Sequence, residues 1–277
     1  MAEIMGAGAY IAIPAFWAAR KVLGPTFDQI GTDLRGRYSE SRLANAQSMF
    51  SAMNRRIEES GHNTGTIPPR VVMKTLEEAS WCDAEVMAEY FGGILASSLS
   101  DDAADDRGVT WTSLVSRLAT REIQLHYLAY SSLRRRLVGS TTLQLGTNQG
   151  QLEAAIYLPE TGIVNAMNLA TPDYNFNSHI VQSMLGLYRE GLVGDMYVFG
   201  SRQHINESLS VDVPEDGVVF TPSASGIILF NWAHGLGDTD VNSILDPKRS
   251  FAMEPEILQV ESPASIAELR PGNSPAS

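Results

Sequence analysis

The chain has 277 residues and a formal net charge of −12. A chain this acidic repels polyanions, so a nucleic-acid site would need a local basic patch. The single cysteine, Cys82, excludes an internal disulfide framework and fits a reducing cytoplasm. Hydrophobic residues make up 44% and charged residues 19%, which is ordinary for a globular protein.

The first 24 residues are predicted to form an apolar helix. The run Ile4–Ala19 carries no charge and is followed directly by two basic residues. It is shorter than the roughly 20 apolar residues that cross a bilayer, and it lacks the basic leader of a signal peptide. A buried helix beginning near Pro14 is the favoured interpretation. The alternative is a segment that engages a membrane through Ile11, Phe16, Trp17, Arg20 and Lys21.

Residues 25–138 are predicted to form a helical domain, because apolar residues recur there at helical spacing. The predicted helices are Thr26–Ile57 (as one helix or two), Pro69–Ala79, a helix capped by Asp83 that runs to about Leu99, and Trp111–Leu137 with a break near Thr120.

Two later stretches show little periodicity. Residues 139–176 are predicted to be an irregular connecting region, in which Ala154–Leu158 fits either a helix or a strand. Pro and Ser accumulate in residues 247–277, which are predicted to be a disordered tail.

The predicted elements of residues 177–246 follow the order of a known domain architecture. A helix at His179–Leu192 precedes two strands, Met196–Gly200 and Gly217–Thr221, and a second helix, Ser223–Gly235. This order is typical of a winged-helix-like module. The predicted fold class is therefore mainly α, with an N-terminal multi-helix domain and a C-terminal α+β winged-helix-like domain.

Two segments carry a resemblance to a known family. The first is IPPRVVMKTLEEASWCDAEVMAEYFGGILASSL at residues 67–99; the second is MLGLYREGLV with the later VVFTPSASGIILF. Together they resemble the Abi-alpha group of bacterial proteins (domain of unknown function 4393), which is linked to abortive infection against phage. The resemblance covers about half of the chain. It implies a cytoplasmic, defence-associated protein and supplies no catalytic residues.

A polar stripe is predicted on the helix that contains residues 122–134. Glu122, His126, Tyr130 and Arg134 are spaced four apart, so their side chains share one helical face. A Glu–His pair beside a tyrosine is able to perform acid–base chemistry. An interhelical polar network is the favoured interpretation, and a hydrolase that uses Glu122 and His126 is the least supported one.

The basic and acidic clusters of the sequence are weak indications of a binding site for an ion or a phosphate. The densest basic run is Arg134-Arg135-Arg136, for which solvation or internal ion pairs are favoured over a phosphate contact. With Asp101 as the first position of a calcium-binding EF-hand loop, Ala103 replaces the second ligand and Thr112 replaces the closing glutamate. A solvated turn is therefore favoured over a weak surface site for a divalent cation. The histidines and Cys82 have no metal-ligand spacing. No metal and no cofactor are predicted.

The charge of the winged-helix-like module argues against DNA binding. Basic residues are few there, and acidic residues cluster in the predicted wing. The alternative function is a DNA-binding transcriptional regulator that uses Tyr188, Arg189 and Arg202. A protein partner or self-association is favoured. The resulting prediction is a non-enzymatic phage-defence protein in the cytoplasm that acts as an interaction or effector module. Engagement of a membrane by its N-terminal helix in the active state is the alternative to burial of that helix.

Overall fold

The computed structural model describes residues 39–61, 64–171, 174–251 and 258–271. The predicted N-terminal helix, residues 1–24, lies outside these ranges. The membrane candidates Ile11, Phe16, Trp17, Arg20 and Lys21 lie outside them too.

Five helices form the first half of the described chain, and apolar positions at helical spacing explain each of them. They are α1 (Glu40–Ser60), α2 (Pro69–Ala79), α3 (Glu85–Ser97), α4 (Gly108–Val115) and α5 (Thr120–Leu137). Pro69 opens α2 at a position where a proline costs no hydrogen bond. Helix α3 is apolar around most of its circumference, so it is buried among its neighbours.

The second half alternates short helices and strands. Its elements are α6 (Asn148–Glu153), β1 (Ile156–Pro159), α7 (Glu160–Ala166), a π-helical turn (Asn177–Val181) that continues into α8 (Gln182–Arg189), β2 (Val193–Gly200), α9 (Arg202–Leu209), β3 (Gly217–Pro222), α10 (Ala224–Ala233), a 3₁₀ helix (Val241–Leu245) and β4 (Ala264–Ser265).

The strands form one antiparallel sheet in the order β2-β3-β1-β4. Strand β1 pairs with β3, with Ile156 opposite Phe220, and on its other side it pairs with β4. Every residue of β1 and β3 is buried, as expected for central strands covered on both faces. The described part of the protein is therefore a mainly α, mixed α+β fold with one small sheet.

A single large apolar core joins the helices to one face of the sheet. It includes Phe91 of α3, Leu128 of α5, Phe220 of β3 and Phe230 of α10. A smaller cluster, which contains Ile205 of α9, covers the other face. Core residues thus come from both of the predicted domains; the boundary between those domains stays a prediction.

Several sequence predictions are confirmed. Helix α2 has the predicted bounds, and the predicted break near Thr120 separates α4 from α5. Ala154–Leu158, which fitted either helix or strand, contributes to β1. The predicted cap Asp83 is wrong: Ala84 holds the N-cap position, and no side chain caps α3.

Two regions differ from expectation. Residues 139–176, predicted to be irregular, contain α6, β1 and α7. The predicted disordered tail is wrong for residues 258–271, because β4 pairs with β1 and Val260 is fully buried. Strands β1 and β4 are short, and each is stabilised by pairing with a strand that is distant in the sequence. The local periodicity of the sequence does not reveal such pairing.

The contact between α3 and α10 depends on a glycine. A Cβ atom on Gly93 would lie 1.9 Å from the backbone oxygen of Ala233, far inside van der Waals contact. We expect Gly93→Ala to destabilise the fold by at least about 1–3 kcal/mol, the usual cost of overpacking a core. Urea unfolding measures this. Gly146→Ala is the control, because its Cβ would meet only Val241 at 3.6 Å. Equal stability of the two variants would contradict the close packing.

Candidate functional site

The predicted polar stripe lies along α5 and contacts a different part of the fold at each position. Glu122, His126, Tyr130 and Arg134 follow one another along one face, as their spacing predicts. His126 and Tyr130 are fully buried. Burial of polar groups is costly unless they are hydrogen-bonded, so the partners of each side chain decide what the stripe does.

His126 joins three helices. Its Nδ1 lies 2.6 Å from the hydroxyl oxygen of Tyr90 on α3, and its Nε2 lies 3.1 Å from the carbonyl oxygen of Gly226 on α10. A carbonyl only accepts, so Nε2 carries the proton and Nδ1 accepts from the Tyr90 hydroxyl. Burial lowers the pKa of His126 to about 3 and raises the pKa of Tyr90 well above its usual value. The imidazole is therefore neutral at physiological pH.

Tyr130 ties α5 to the sheet and to α10. Its hydroxyl donates to the carbonyl of Leu192 at 2.6 Å and accepts from the backbone N–H of Ser223 at 3.1 Å. A Cβ on Gly226 would lie 2.0 Å from this hydroxyl oxygen, so the close approach of α10 requires a glycine there. Burial raises the pKa of Tyr130. The phenol is both satisfied and enclosed.

Glu122 has a local role at the start of α5. Its carboxylate accepts from the backbone N–H of Ala119 at 2.7 Å, which satisfies an N-terminal donor of the helix. The other oxygen lies 3.8 Å from the guanidinium of Arg189 on α8. No hydrogen bond joins Glu122 to His126, so the acid–base pair that their spacing suggests is not formed.

Arg134 ends the stripe and binds backbone. Its guanidinium donates to three carbonyls, those of Ile244, Asp246 and Arg249. It also lies over the ring of Phe251, 4.3 Å from the ring centre. In the same triplet, Arg135 donates to the carbonyl of Val260, and Arg136 forms an ion pair with Glu268. The three arginines thus contact different parts of the chain.

Taken together, these contacts make the stripe an interhelical polar network. The imidazole, the phenol and the carboxylate are each engaged with protein groups, and two of them are inaccessible to solvent. A catalytic base must reach a substrate proton. The geometry offers no such access at His126 or Tyr130, so the stripe gives no support to a hydrolase.

A second buried polar group was missed by the sequence reasoning. Glu89 of α3 is 3% exposed and pairs with Arg55 and Arg56 of α1; the Arg56 contact is 3.1 Å. The available indication was a carboxylate within an otherwise apolar helix. A buried charge that loses its partner is strongly destabilising, so this cluster specifies how α1 sits against α3.

The predicted nucleic-acid residues are engaged with acidic groups. Arg189 lies 3.5 Å from a carboxylate oxygen of Glu190, and Arg202 lies 2.8 Å from one of Asp212. A phosphate would have to compete with these carboxylates. Tyr188 contacts Tyr197 instead, with the ring centres 5.0 Å apart.

Tyr188 and Leu185 are exposed on α8, with exposed fractions of 40% and 43%. The ring of Tyr188 contacts that of Tyr197 on β2, and Tyr197 stacks on Phe199 with the ring centres 6.1 Å apart. Tyr197 and Phe199 are half-buried and pack against the core. These four residues are here called the aromatic surface.

The described ranges contain neither a metal site nor a membrane-spanning helix. No group of three or more His, Cys, Asp or Glu side chains there is arranged to hold a metal ion. Within the same ranges, no helix has the length and apolar character needed to span a bilayer.

No family model, curated protein or solved structure matches this chain. The resemblance to the Abi-alpha group therefore stays a prediction that rests on the residues quoted above.

The buried neutral His126 predicts a pH dependence. Its pKa is lower in the folded state than in the unfolded chain (~6.5), so the unfolded state binds more protons below that pH. Stability should fall as pH decreases from about 6.5 towards 3. We expect His126→Gln to show a smaller loss over this range, measured as urea midpoints.

The matched control is His204→Gln, because His204 is exposed. It should keep the pH dependence of the unaltered protein. The buried His234, whose pKa is also lowered by burial, contributes equally to all three proteins. Parallel curves for His126→Gln and the unaltered protein would contradict the assignment of a neutral His126.

Proposed function

We propose that this protein acts in bacterial defence against phage through protein association and without catalysis. One observation carries the proposal: the polar stripe on α5 is engaged internally, whereas Leu185 and Tyr188 of the aromatic surface are exposed. The resemblance to the Abi-alpha group supports the defence role. We place the protein in the cytoplasm, where its lone cysteine, Cys82, stays reduced.

The aromatic surface favours a second copy of the same chain as the partner. Strand β2 is the last strand on its side of the described sheet. Such an edge presents backbone groups that can pair with another strand. A two-fold axis beside β2 would place two identical strands antiparallel.

Only part of β2 has the regular geometry that such pairing needs. Tyr197–Gly200 keeps one register with β3, whereas the register shifts between Val193 and Tyr197. Pairing of two copies would therefore involve Tyr197–Gly200. Leu185 and Tyr188 flank the junction, where burial would remove their apolar area from water.

The winged-helix-like description of residues 177–246 belongs to this proposal as well. The order α8, β2, β3, α10 supports it. Helix α9 between the two strands and the central position of β1 depart from a simple wing. The carboxylates beside Arg189 and Arg202 disfavour contacts of this module with the phosphates of DNA.

Self-association predicts that substitutions in the aromatic surface convert a dimer to a monomer. We expect the unaltered protein to sediment as a dimer and the double variant Leu185→Asp, Tyr188→Asp to sediment as a monomer, because the aspartates oppose burial of the surface. Analytical ultracentrifugation over a range of concentrations measures this. Leu152→Asp is the control, since Leu152 is 47% exposed on α6. A monomeric unaltered protein would contradict self-association.

The defence role predicts protection of cells. Cells that express the intact protein should form fewer phage plaques than cells without it, and the double variant should lose this protection. We further propose that the apolar run Ile4–Ala19 engages a membrane, so removal of Met1–Gly24 should also abolish protection. Equal flotation of intact and truncated protein with liposomes would remove the membrane step. Absence of protection by the intact protein would remove the defence role.

A further inference from the structure

A cavity of about 500 Å³ lies between α7 and the turn that precedes β3. It is here called the Glu160 cavity. Helix α7 supplies one wall, beginning with Glu160, and Glu215 and Asp216 of the turn supply another. Tyr174 is also part of the lining. The volume lies within the range of small-molecule sites (about 300–1,000 Å³).

The two walls are joined at the end of the sheet, where β1 and β3 pair. The backbone N–H of Glu160 donates to the carbonyl of Asp216 at 2.9 Å. The hydroxyl of Tyr157, on β1, donates to the carbonyl of Glu215 at 3.0 Å. These contacts fix the backbone that carries the carboxylates, and a fixed backbone keeps polar groups at the separation that a ligand requires.

Three carboxylates line the cavity, and no lysine or arginine is among its described lining residues. Glu160 accepts a hydrogen bond from the hydroxyl of Tyr174 at 2.9 Å. Glu215 accepts one from the backbone N–H of Thr161 at 3.2 Å. These donors are neutral, so they orient the carboxylates without neutralising their negative charge.

Two arginines near the cavity are engaged with other groups. The guanidinium of Arg202 pairs with Asp212 at 2.8 Å, although its backbone N–H donates to the carboxylate of Asp216 at 2.9 Å. Arg121 contacts the imidazole of His179. Among the described residues, no lysine or arginine side chain forms an ion pair with a carboxylate of the cavity. The cavity is therefore a site of negative charge.

Val164 and Tyr174 give the cavity an apolar part, and both pack against the core. Burial raises the pKa of Tyr174, and the hydrogen bond to Glu160 raises it further, so the phenol keeps its proton and remains the donor. The two residues that precede Tyr174 lie outside the described ranges; they are Pro172 and Asp173, and neither is basic. A hydrocarbon chain would lose contact with water against these side chains.

The arrangement of the carboxylates disfavours a metal ion as the ligand. A calcium or magnesium ion needs several oxygen atoms at roughly 2.0–2.6 Å from one point. Within the described ranges, no three Asp, Glu, His or Cys side chains are arranged in that way. A ligand with separate positive charges on a flexible chain is able to meet carboxylates that lie apart.

We propose that the Glu160 cavity binds a small organic cation, in which two or more ammonium groups are joined by a methylene chain. The ammonium groups would meet Glu160 and the carboxylates of the turn, and the chain would lie against Val164 and Tyr174. The net charge of −12 attracts such a ligand to the protein. This inference goes beyond the proposed function and is independent of the defence role and of self-association.

The test uses the full-length protein and five named probes. Isothermal titration calorimetry at low salt compares spermidine, 1,4-diaminobutane and the peptide lysyl-lysine with the neutral 1,4-butanediol and with magnesium chloride. We expect at least one of the three ammonium compounds to bind with a Kd below about 1 mM, and butanediol and magnesium to bind at least tenfold more weakly. Tighter binding of the free amines would identify a polyamine site; tighter binding of the peptide would identify a site for lysine side chains.

Substitutions locate the binding. Asn165 is an exposed lining residue, so Asn165→Lys places an ammonium group in the cavity with little effect on the core. This variant should weaken binding of the ammonium compounds at least tenfold. Glu215→Gln should weaken it at least about threefold, because a partly exposed ion pair contributes modestly and the amide still accepts from Thr161.

The matched control is Glu58→Gln, which removes the same charge from an exposed residue of α1 that does not line the cavity. It should change binding less than twofold. Circular dichroism confirms that the variants fold. The proposal is overturned if no ammonium compound binds near 1 mM or if magnesium binds as tightly as the amines. An equal loss of binding in Glu58→Gln and Glu215→Gln would overturn it too, because the net charge alone would then explain the binding.

Discussion

The hydrogen bonds of the buried His126 and Tyr130 on α5 constrain the rest of the structure. His126 and Tyr130 lie where no water reaches, so each hydrogen-bonding atom needs a protein partner. Those partners are largely backbone groups of other elements, such as the carbonyls of Gly226 and Leu192. A carbonyl position is fixed by the path of its chain. The helix therefore determines where α10 begins and where β2 starts, which apolar contacts alone would specify less sharply.

The same helix contacts much of the described fold. It packs against α3, α8 and α10, and it also contacts β1 and β4. His126 and Tyr130 bond groups of α3, of α10 and of the segment that enters β2. Residues that resemble catalytic groups in sequence are thus used in folding.

Much of the helical architecture was predictable from sequence, because amphipathic spacing and proline or glycine boundaries are local. Pro69 marked the start of α2, and the four-residue spacing placed His126 and Tyr130 on one face. Their partners were not predictable. Gly226 lies one hundred residues after His126, and no local pattern joins them. Strand β1 was ambiguous because a short apolar run fits a helix or a strand equally well.

The candidate sites were even less visible in the sequence. The contact of Arg134 with the ring of Phe251 depends on the path of the chain after α10. The arginine triplet was apparent, but its spread over carbonyls and Glu268 was not. Tyr188 stood out as a candidate, although Tyr197 beside it gives it a different environment from the one expected.

The strand order has a consequence for synthesis of the protein. Strand β1 is made before both of its neighbours, β3 and β4, which come later in the chain. While the ribosome adds the intervening residues, an apolar strand has neither of its partners and exposes two edges. Folding of the sheet must therefore wait, since contacts between distant residues form slowly. Nascent chains at this stage are candidates for chaperone binding.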